Sequence, residues 1–172
     1  MSAKLAPSSW LLSNIDLIPR AGRALDVACG RGRHAIFLAE RGWTVRALDR
    51  DAVAIDELRA EADRRGLAVH AAVLDLEAGE TDLGHEAFDL IVVFHYLHRP
   101  LFPALLRALA PGGHLLYETF TVEQARRGKP SNPDFLLRHG ELRERLSSLT
   151  ILREREGPFE GRDVASVVAR KV

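Results

Sequence analysis

The sequence is poor in cysteine, in aromatic residues and in net charge. Cys29 is its only cysteine among 172 residues, and aromatic residues make up 6% of the chain. A single cysteine excludes an internal disulfide and indicates a reducing compartment. The 24 basic and 24 acidic side chains balance, so the chain lacks the basic excess of proteins that bind a nucleic-acid backbone.

Long apolar runs are also absent. No stretch approaches the roughly 20 apolar residues that a membrane-spanning helix needs, and the first seven residues lack the layout of a secretory signal. We therefore expect a cytoplasmic protein without a membrane partner. The length fits one domain over residues 1–172, as a monomer or a homodimer.

What the sequence does contain is a regular alternation of strand and helix patterns. Apolar segments predict seven strands, over 24–28, 44–48, 67–74, 88–94, 114–119, 150–155 and 164–169. Helical patterns cover 33–41, 51–65, 101–110 and 141–149, after a helical cap over 1–20. This order predicts an α/β fold, a doubly wound, Rossmann-like, mainly parallel seven-stranded sheet with a C-terminal antiparallel hairpin that turns at Gly157-Pro158.

The segment 120–139 has no clear periodicity and is long for a structureless connection. Such segments often form lids or binding loops. It carries four basic residues, and a solvated surface loop is an equally good interpretation. These residues are Arg126, Arg127, Lys129 and Arg138.

The most informative stretch follows the first predicted strand, where Asp26 precedes Gly30 and Gly32. Glycines let a backbone approach a ligand closely, because they lack Cβ and tolerate positive φ. A carboxylate beside that turn disfavours a diphosphate and favours a ligand with an ammonium or hydroxyl groups. The pattern G-x-G-x-x-A by itself is a weak signal.

Two further acids end the second and third predicted strands. Asp49 follows Gly30 by about twenty residues, the spacing at which an acid reaches a ribose, and Asp75 could accept from an exocyclic amine. Either acid alone could instead cap the next helix. Three acids at three successive strand ends predict one cofactor crevice.

These residues resemble the class I S-adenosylmethionine-dependent methyltransferases. The motif Asp26-Val27-Ala28-Cys29-Gly30-Arg31-Gly32 is similar to their first motif, and the terminal hairpin is similar to their reversed strand. The resemblance implies S-adenosylmethionine as cofactor, with Asp49 on the ribose and Asp75 on the adenine. It implies a cofactor site formed by Asp26, Ala28, Gly30, Gly32, Arg33, His34, Asp49, Arg50, Asp75, Leu76 and Phe94. The run Cys29-Gly30-Arg31-Gly32-Arg33-His34 is closest in style to small tellurite-resistance-type bacterial methyltransferases.

The sequence says less about the part of the site that would bind the methyl acceptor. Candidate catalytic residues are His95, Tyr96 and Tyr117, with His98, Glu118 and Phe120 nearby; no metal site is predicted. His95 ordinarily titrates near neutral pH and could serve as a base, although strand-end histidines are more often only hydrogen-bonded. No Asn/Asp-Pro-Pro-aromatic tetrapeptide follows the fourth strand, which argues against amino-group methylation on a nucleobase or glutamine.

Four functions remain open on the sequence. The leading one is methyl transfer to a small or soft nucleophilic acceptor by in-line displacement, in which alignment matters most. An RNA or protein methyltransferase that uses a basic lid is the alternative. A nicotinamide-dependent oxidoreductase and a cofactor-binding protein without catalysis are less favoured.

Overall fold

The computed structural model describes residues 6–172. Its helices are α1 Ser9–Ser13, α2 Arg33–Ala39, α3 Ala52–Arg65, α4 Phe102–Ala108 and α5 Glu141–Arg145. Its strands are β1 Arg23–Val27, β2 Thr44–Asp49, β3 Val69–Val73, β4 Phe88–Phe94, β5 Leu109–Phe120, β6 Thr150–Phe159 and β7 Arg162–Arg170. Short 3-10 helices cover Ile15–Leu17, Arg99–Leu101, Val122–Arg126 and Pro133–Phe135.

The seven strands form one sheet in the order β3-β2-β1-β4-β5-β7-β6. Strands β1 to β5 pair in parallel, whereas β7 is antiparallel to β5 and to β6. The predicted seven-stranded, mainly parallel sheet with a C-terminal antiparallel hairpin is therefore confirmed. The strand order reverses between β1 and β4, and this switch point is where open α/β sheets bind ligands.

The core lies on both faces of the sheet, and β4 contributes to both. Ile91 and Val93 pack with α4 and α5, while Leu90 and Val92 pack with α1, α2 and α3 on the other face. All four side chains are fully buried. This double burial explains why β4 is a continuous apolar run instead of an alternating one.

Helix α3 shows how the local sequence sets element boundaries. The Asp51 side chain caps it by accepting hydrogen bonds from the backbone N–H groups of Val53 and Ala54, at 3.0 and 3.2 Å. Gly66 ends it in the left-handed region at φ 63°. A capping carboxylate and a C-terminal glycine are both expected from the sequence alone.

The hairpin turn lies elsewhere than predicted. Gly157 and Pro158 are inside β6, and the chain reverses at Glu160-Gly161, where both residues have positive φ (49° and 76°), as a type I′ turn requires. The proline is tolerated because β6 is the edge strand of the sheet, so its missing N–H removes no ladder bond on the open side. The prediction of a turn at Gly157-Pro158 was wrong.

Several other boundaries differ from the sequence prediction. Strand β5 begins at Leu109 and its ladder with β4 becomes regular only at His114, because the Pro111-Gly113 stretch forms an irregularity within the strand. Helix α5 ends at Arg145, shorter than predicted. In the predicted cap over 1–20, residues 1–5 lie outside the described part, and α1 with the Ile15–Leu17 turn forms the helical portion.

Candidate functional site

A cleft of about 280 Å³ opens at the carboxyl ends of the parallel strands, beside the switch point. Its walls come from the ends of β1, β2, β3, β4 and β5 and from the 120–139 segment. The lining residues are Ala28, Asp49, Arg50, Leu74, Asp75, Leu76, Glu77, His95, Tyr96, Leu97, Thr119, Phe120, Pro130 and Phe135.

Two residues that line the cleft have left-handed backbones although they are not glycines. Ala28 follows β1 with φ 53°, and His95 follows β4 with φ 56°. Such conformations cost roughly 1–3 kcal/mol each and persist where surrounding structure enforces them, often at functional sites. They flank the switch point on its two sides.

Asp49 connects β2 to the glycine turn. One of its carboxylate oxygens accepts a hydrogen bond from the backbone N–H of Gly30 at 2.7 Å, and the other accepts from Asp51 at 2.9 Å. These contacts fix the carboxylate at the cleft wall, and each oxygen keeps a further lone pair for an external donor. The carboxylate therefore suits a pair of ribose hydroxyls.

Asp75 lies one strand further along the same wall. Its Oδ1 accepts from the backbone N–H of Glu77 at 2.9 Å, which orients the carboxylate. Leu74 and the buried Leu76 flank it with apolar surface. A carboxylate between two leucines suits a planar heterocycle that carries an amine.

The two glycines of the turn have different physical roles. A Cβ on Gly32 would lie 2.4 Å from Leu58 Cδ1, so Gly32 is required by packing of the turn on α3. A Cβ on Gly30 would meet nothing within 4 Å. Gly30, at φ 55°, thus leaves an open cradle beside Asp49 that a ligand can fill.

Asp26 lies behind this turn and is 1% exposed. Its Oδ2 accepts from the backbone N–H of Ala35 at 3.0 Å, which ties β1 to α2. Burial raises the pKa of its carboxyl to about 7. This effect is larger than the opposing effects of the Ala35 hydrogen bond and of the Arg33 charge, which lower the pKa. Asp26 does not line the cleft itself, so any contact with a ligand runs through the turn.

His34 and Phe94 form a packed pair behind the cleft. Their rings stack at 4.2 Å, and His34 Nε2 accepts from the backbone N–H of Ser8 at 3.1 Å. Burial lowers the pKa of His34 to about 3, so the ring is neutral and holds the N-terminal segment against the sheet. Neither side chain lines the cleft, and Trp10 is likewise buried, with its indole N–H on the carbonyl of Val167.

His95 lies at the cleft wall, stacked on Phe120 with ring centroids 4.8 Å apart. Its Nε2 is 3.2 Å from a guanidinium nitrogen of Arg162, and a guanidinium can only donate. Nε2 therefore accepts, and the neutral ring carries its proton on Nδ1. Burial, then Arg162 and Arg33, lower the pKa of His95 to about 4, well below the neutral range expected from sequence.

The two candidate tyrosines differ in position. Tyr96 lines the cleft and its hydroxyl donates to Glu77 at 3.3 Å; burial raises its pKa. Tyr117 is buried, donates to the carbonyl of Tyr96 at 2.8 Å and stacks on Phe102. Burial raises its pKa too, and the structure places its hydroxyl in the strand packing, outside the cleft lining.

The remaining candidates for the acceptor site also divide into residues that line the cleft and residues that do not. Phe120 lines the cleft, whereas the buried Glu118 carboxylate accepts from Arg155 at 2.9 Å and from Ser166 at 2.5 Å behind it. His98 follows β4 but is not part of the lining. Cys29 is buried, and burial raises the pKa of its thiol, which fits packing.

The 120–139 segment is structured and contributes Phe120, Pro130 and Phe135 to the lining of the cleft. Its two ends pair, since Leu137 donates to Phe120 and Val122 donates to Leu137, both at 2.9 Å. Arg99 fixes its middle by donating to the carbonyls of Asp134 and Leu136 while its guanidinium holds the buried Glu141.

Sequence reasoning missed several lining residues, namely Leu74, Glu77, Leu97, Thr119, Pro130 and Phe135. Four of them lie at a strand end or within four residues after one, so position alone could have indicated them. Pro130 and Phe135 come from the segment 120–139, whose place over the cleft depends on the tertiary contacts of Arg99. Within residues 6–172, no cluster of three or more histidine, cysteine or acidic side chains is placed to hold a metal. None of the helices in this range is long and apolar enough to span a membrane.

The strand order, the reversed β7, the glycine cradle and the acids at successive strand ends define a class I methyltransferase of the Rossmann-like type. The profile of the family described as "Methyltransferase domain" matches residues 24–113, just over half of the chain. The chain therefore belongs to this family of methyltransferase domains.

Curated proteins match parts of the chain. "Hemagglutinin 1" of Eikenella corrodens is 30% identical over 98 residues, which cover 55% of this chain and 33% of that protein. "Probable S-adenosyl-L-methionine-dependent methyltransferase TehB" of Haemophilus influenzae is 26% identical over 85 residues, or 49% of this chain and 30% of that protein. The matched region thus spans about a third of each relative.

Solved structures match over nearly the whole chain. The crystal structure of TehB from Haemophilus influenzae aligns with a TM-score of 0.74 at 21% identity, covering 95% of this chain and 61% of that one. An S-adenosylmethionine-dependent methyltransferase from Mesorhizobium loti aligns with a TM-score of 0.76 at 19% identity, covering 95% and 98%. At these identities the likeness concerns the fold.

Proposed function

We propose that this enzyme transfers the methyl group of S-adenosylmethionine to a small, soft or already deprotonated nucleophile. The observation that carries this proposal is the part of the cleft that the 120–139 segment lines. There Pro130 and Phe135 of this segment line the cleft together with His95, Thr119 and Phe120. A pocket covered by an anchored segment suits a small molecule better than a folded macromolecule.

The chain's residues fit the cofactor at the other end. Asp49 would accept from the ribose hydroxyls, Asp75 from the adenine amine, and Leu76 would pack on the ring. The open space beside Gly30 leaves room for the amino-acid end. When bound, S-adenosylmethionine supplies an electrophilic methyl group on a positively charged sulfur that leaves as a neutral thioether.

The state of His95 sets a limit on the acceptor. A ring with a pKa of about 4, whose Nε2 accepts from Arg162, is a weak base at neutral pH. We therefore assign His95 a positioning role through its ring and its Nδ1–H. An acceptor that reacts here arrives without a proton to remove, as a thiolate or another soft anion does.

The 120–139 segment supports a small acceptor in a second way. Three of its four basic side chains are paired with carboxylates: Arg126 with Glu123, Arg127 with Asp163, and Arg138 with Glu141. A surface for a nucleic-acid backbone needs cations that are free to replace counterions. We infer that the segment serves as a lid instead of an RNA-binding loop.

The test is methyl transfer from isotope-labelled S-adenosylmethionine to a panel of small thiols and other soft anions, with ribosomal RNA and total protein in parallel. We expect label in small-molecule products at neutral pH. Label only in RNA or protein would show that the acceptor is a macromolecule and overturn the proposal.

The variant Asp49→Ala tests the cofactor end of the cleft by a binding measurement. The variant leaves the Gly30 N–H and the ligand's hydroxyls without their acceptor, so S-adenosylhomocysteine affinity falls by about 1–3 kcal/mol. Calorimetric titration measures this change. Asp56→Ala, which removes an exposed acid on α3 that pairs with Arg59, is the matched control, and equal affinities for the two variants would move the ribose away from Asp49.

A further inference from the structure

One apolar ring of the 120–139 segment is exposed at the cleft. Phe135 lines the cleft and is 48% exposed, whereas Leu136 and Leu137, which follow it, are buried. The other exposed large apolar side chains of residues 6–172 do not line the cleft; they are Leu12, Val53, Val73, Leu152 and Val172. Apolar surface that is exposed in a ligand cleft indicates a surface that the ligand buries.

The backbone around Phe135 is fixed on both sides, so the ring is held at this position. The N–H of Phe135 donates to the carbonyl of Asn132 at 3.0 Å. Arg99 donates to the two flanking carbonyls, that of Asp134 at 3.0 Å and that of Leu136 at 2.9 Å. A ring on a fixed backbone contacts a ligand at little cost in conformational entropy.

Further rings line the same cleft. Phe120 stacks on His95 with ring centroids 4.8 Å apart, and Pro130 and Tyr96 also contribute to the lining. Aromatic rings bind other aromatic rings by offset stacking or edge-to-face contact, which adds to the gain from burying apolar area. Together with Phe135, these side chains suit a ligand that carries a flat apolar ring.

The charged residue types in the lining disfavour a compact anion. Three acids and one base contribute to it, namely Asp49, Asp75, Glu77 and Arg50. Arg162 contacts His95 but is not part of the lining. A small oxyanion is strongly hydrated and needs several donors or cations to replace its water. A thiolate on an aromatic ring spreads its charge over the ring and gains from burial of its apolar part.

We propose that Phe135, Phe120 and Pro130 form a subsite for the aryl group of the acceptor, which is an aromatic thiol in its thiolate form. The thiolate sulfur forms a bond to the methyl carbon while the bond from that carbon to the sulfonium breaks, and the bonding pair stays on the cofactor's sulfur. The step needs no base, oxidant or reductant. The subsite rests on the proposed function, because it narrows the acceptor of the same cleft.

The test compares two thiols that are both substantially ionised near neutral pH and differ in the ring. Thiophenol carries the ring, and 2,2,2-trifluoroethanethiol lacks it. Initial rates with isotope-labelled S-adenosylmethionine give kcat/KM for each acceptor, expressed per thiolate. The native enzyme should have a kcat/KM for thiophenol about tenfold or more above that for trifluoroethanethiol.

Phe135→Ala should lower the ratio of the two kcat/KM values about tenfold, mainly through a higher KM for thiophenol, because the ring contact is present before and during methyl transfer. Phe135→Tyr keeps the ring and should keep the native ratio. Leu152→Ala is the matched control, since it removes an exposed apolar side chain on β6 that does not line the cleft. Circular dichroism verifies that all variants are folded.

The subsite is overturned if the native enzyme uses trifluoroethanethiol as well as thiophenol, or if Phe135→Ala changes the ratio no more than Leu152→Ala does. Either result leaves methyl transfer to small thiols, and hence the proposed function, in place.

An enzyme that methylates no small acceptor would instead overturn the proposed function, and binding then decides the subsite. Thioanisole, the product expected from thiophenol, is titrated by calorimetry with S-adenosylhomocysteine saturating. The subsite stands if the native protein binds thioanisole and Phe135→Ala binds it about tenfold more weakly. It is overturned if the two proteins bind thioanisole equally or if neither binds it.

Discussion

At the scale of single residues, the glycine turn separates two requirements that the sequence presents as one motif. Gly32 is needed because Leu58 leaves no room for a side chain, whereas Gly30 faces open space beside Asp49. Both residues have positive φ. One glycine therefore serves packing, and the other serves the ligand.

This difference predicts that alanine at Gly32 mainly lowers stability, whereas alanine at Gly30 mainly lowers ligand affinity. Gly32→Ala should lower the free energy of unfolding by more than the roughly 1–2 kcal/mol of left-handed strain, since the new Cβ clashes with Leu58. Gly30→Ala should show only the strain but lose affinity for S-adenosylhomocysteine. Urea denaturation and calorimetric titration of both variants measure the two effects, and equal losses of stability would contradict the assignment.

Asp26 gives a prediction about pH. Its pKa is about 7 in the folded state and ordinarily near 3.8, so between these values the folded protein binds more protons than the unfolded chain. The stability that Asp26 contributes is thus present at low pH and is lost as the pH rises from about 4 to 7, by up to roughly 4 kcal/mol. His34 has the opposite effect on stability, because its pKa is lowered from 6.5 to about 3 in the folded state. Its contribution to the free energy of unfolding therefore increases as the pH rises from about 3 to 6.5.

The pH effects of Asp26 and His34 partly cancel in the native protein, so the contribution of Asp26 is measured by comparing the native protein with the variant Asp26→Asn. The amide oxygen of this asparagine can still accept a hydrogen bond from the backbone N–H of Ala35. The free energy of unfolding of this variant, relative to the native protein, should rise between pH 4.5 and pH 8. Urea denaturation at three pH values measures it. If the difference in free energy of unfolding between the variant and the native protein does not change with pH, Asp26 is ionised in the folded protein over this whole pH range.

At the scale of elements, one buried carboxylate holds the 120–139 segment in place. Glu141 begins α5, is fully buried and contacts Arg99 at 2.7 Å and Arg145 at 2.7 Å, and it accepts from the backbone of Arg138. These charges lower its pKa to about 2. Through Arg99 the carboxylate fixes the carbonyls of Asp134 and Leu136, and hence the position of the segment that lines one end of the cleft.

Glu141→Gln should therefore destabilise the protein by about 2–3 kcal/mol, because it leaves Arg99 and Arg145 without their shared anion. Glu144→Gln is the matched control on the same helix: its side chain is 75% exposed and 4.0 Å from Arg138, so a change below about 0.5 kcal/mol is expected. Thermal and urea unfolding compare them. Similar small losses in both variants would mean that the 120–139 segment is held by its backbone contacts alone.

At the scale of the whole molecule, the reversed strand β7 lies between β5 and the edge strand β6 and places Arg162 beside His95. A nicotinamide-dependent enzyme instead continues its sheet in parallel and binds a diphosphate at the glycine turn. In this chain Asp26 and Asp49 lie at that turn, which disfavours the diphosphate. The fold and the turn thus favour S-adenosylmethionine over a dinucleotide.

This choice of cofactor has a thermodynamic consequence. S-adenosylhomocysteine at one hundred times its dissociation constant should stabilise the native protein by about 2.7 kcal/mol, whereas the same concentration of NADH should leave the melting temperature unchanged. Differential scanning calorimetry provides the comparison. Stabilisation by NADH alone would overturn the assignment of the cofactor.

The sequence by itself determined the fold class, because apolar periodicity, a capping aspartate and a terminating glycine act locally. It also predicted Asp49 and Asp75 at strand ends, where the topology brings them together. It misplaced the hairpin turn, since a proline on an edge strand resembles a proline in a turn until the neighbouring strands are known. Tertiary structure alone decided three things: that His95 is neutral, that the 120–139 segment is anchored through Glu141, and that Arg162 contacts His95. Each of these depends on burial and on charges that are distant in sequence, which no local pattern records.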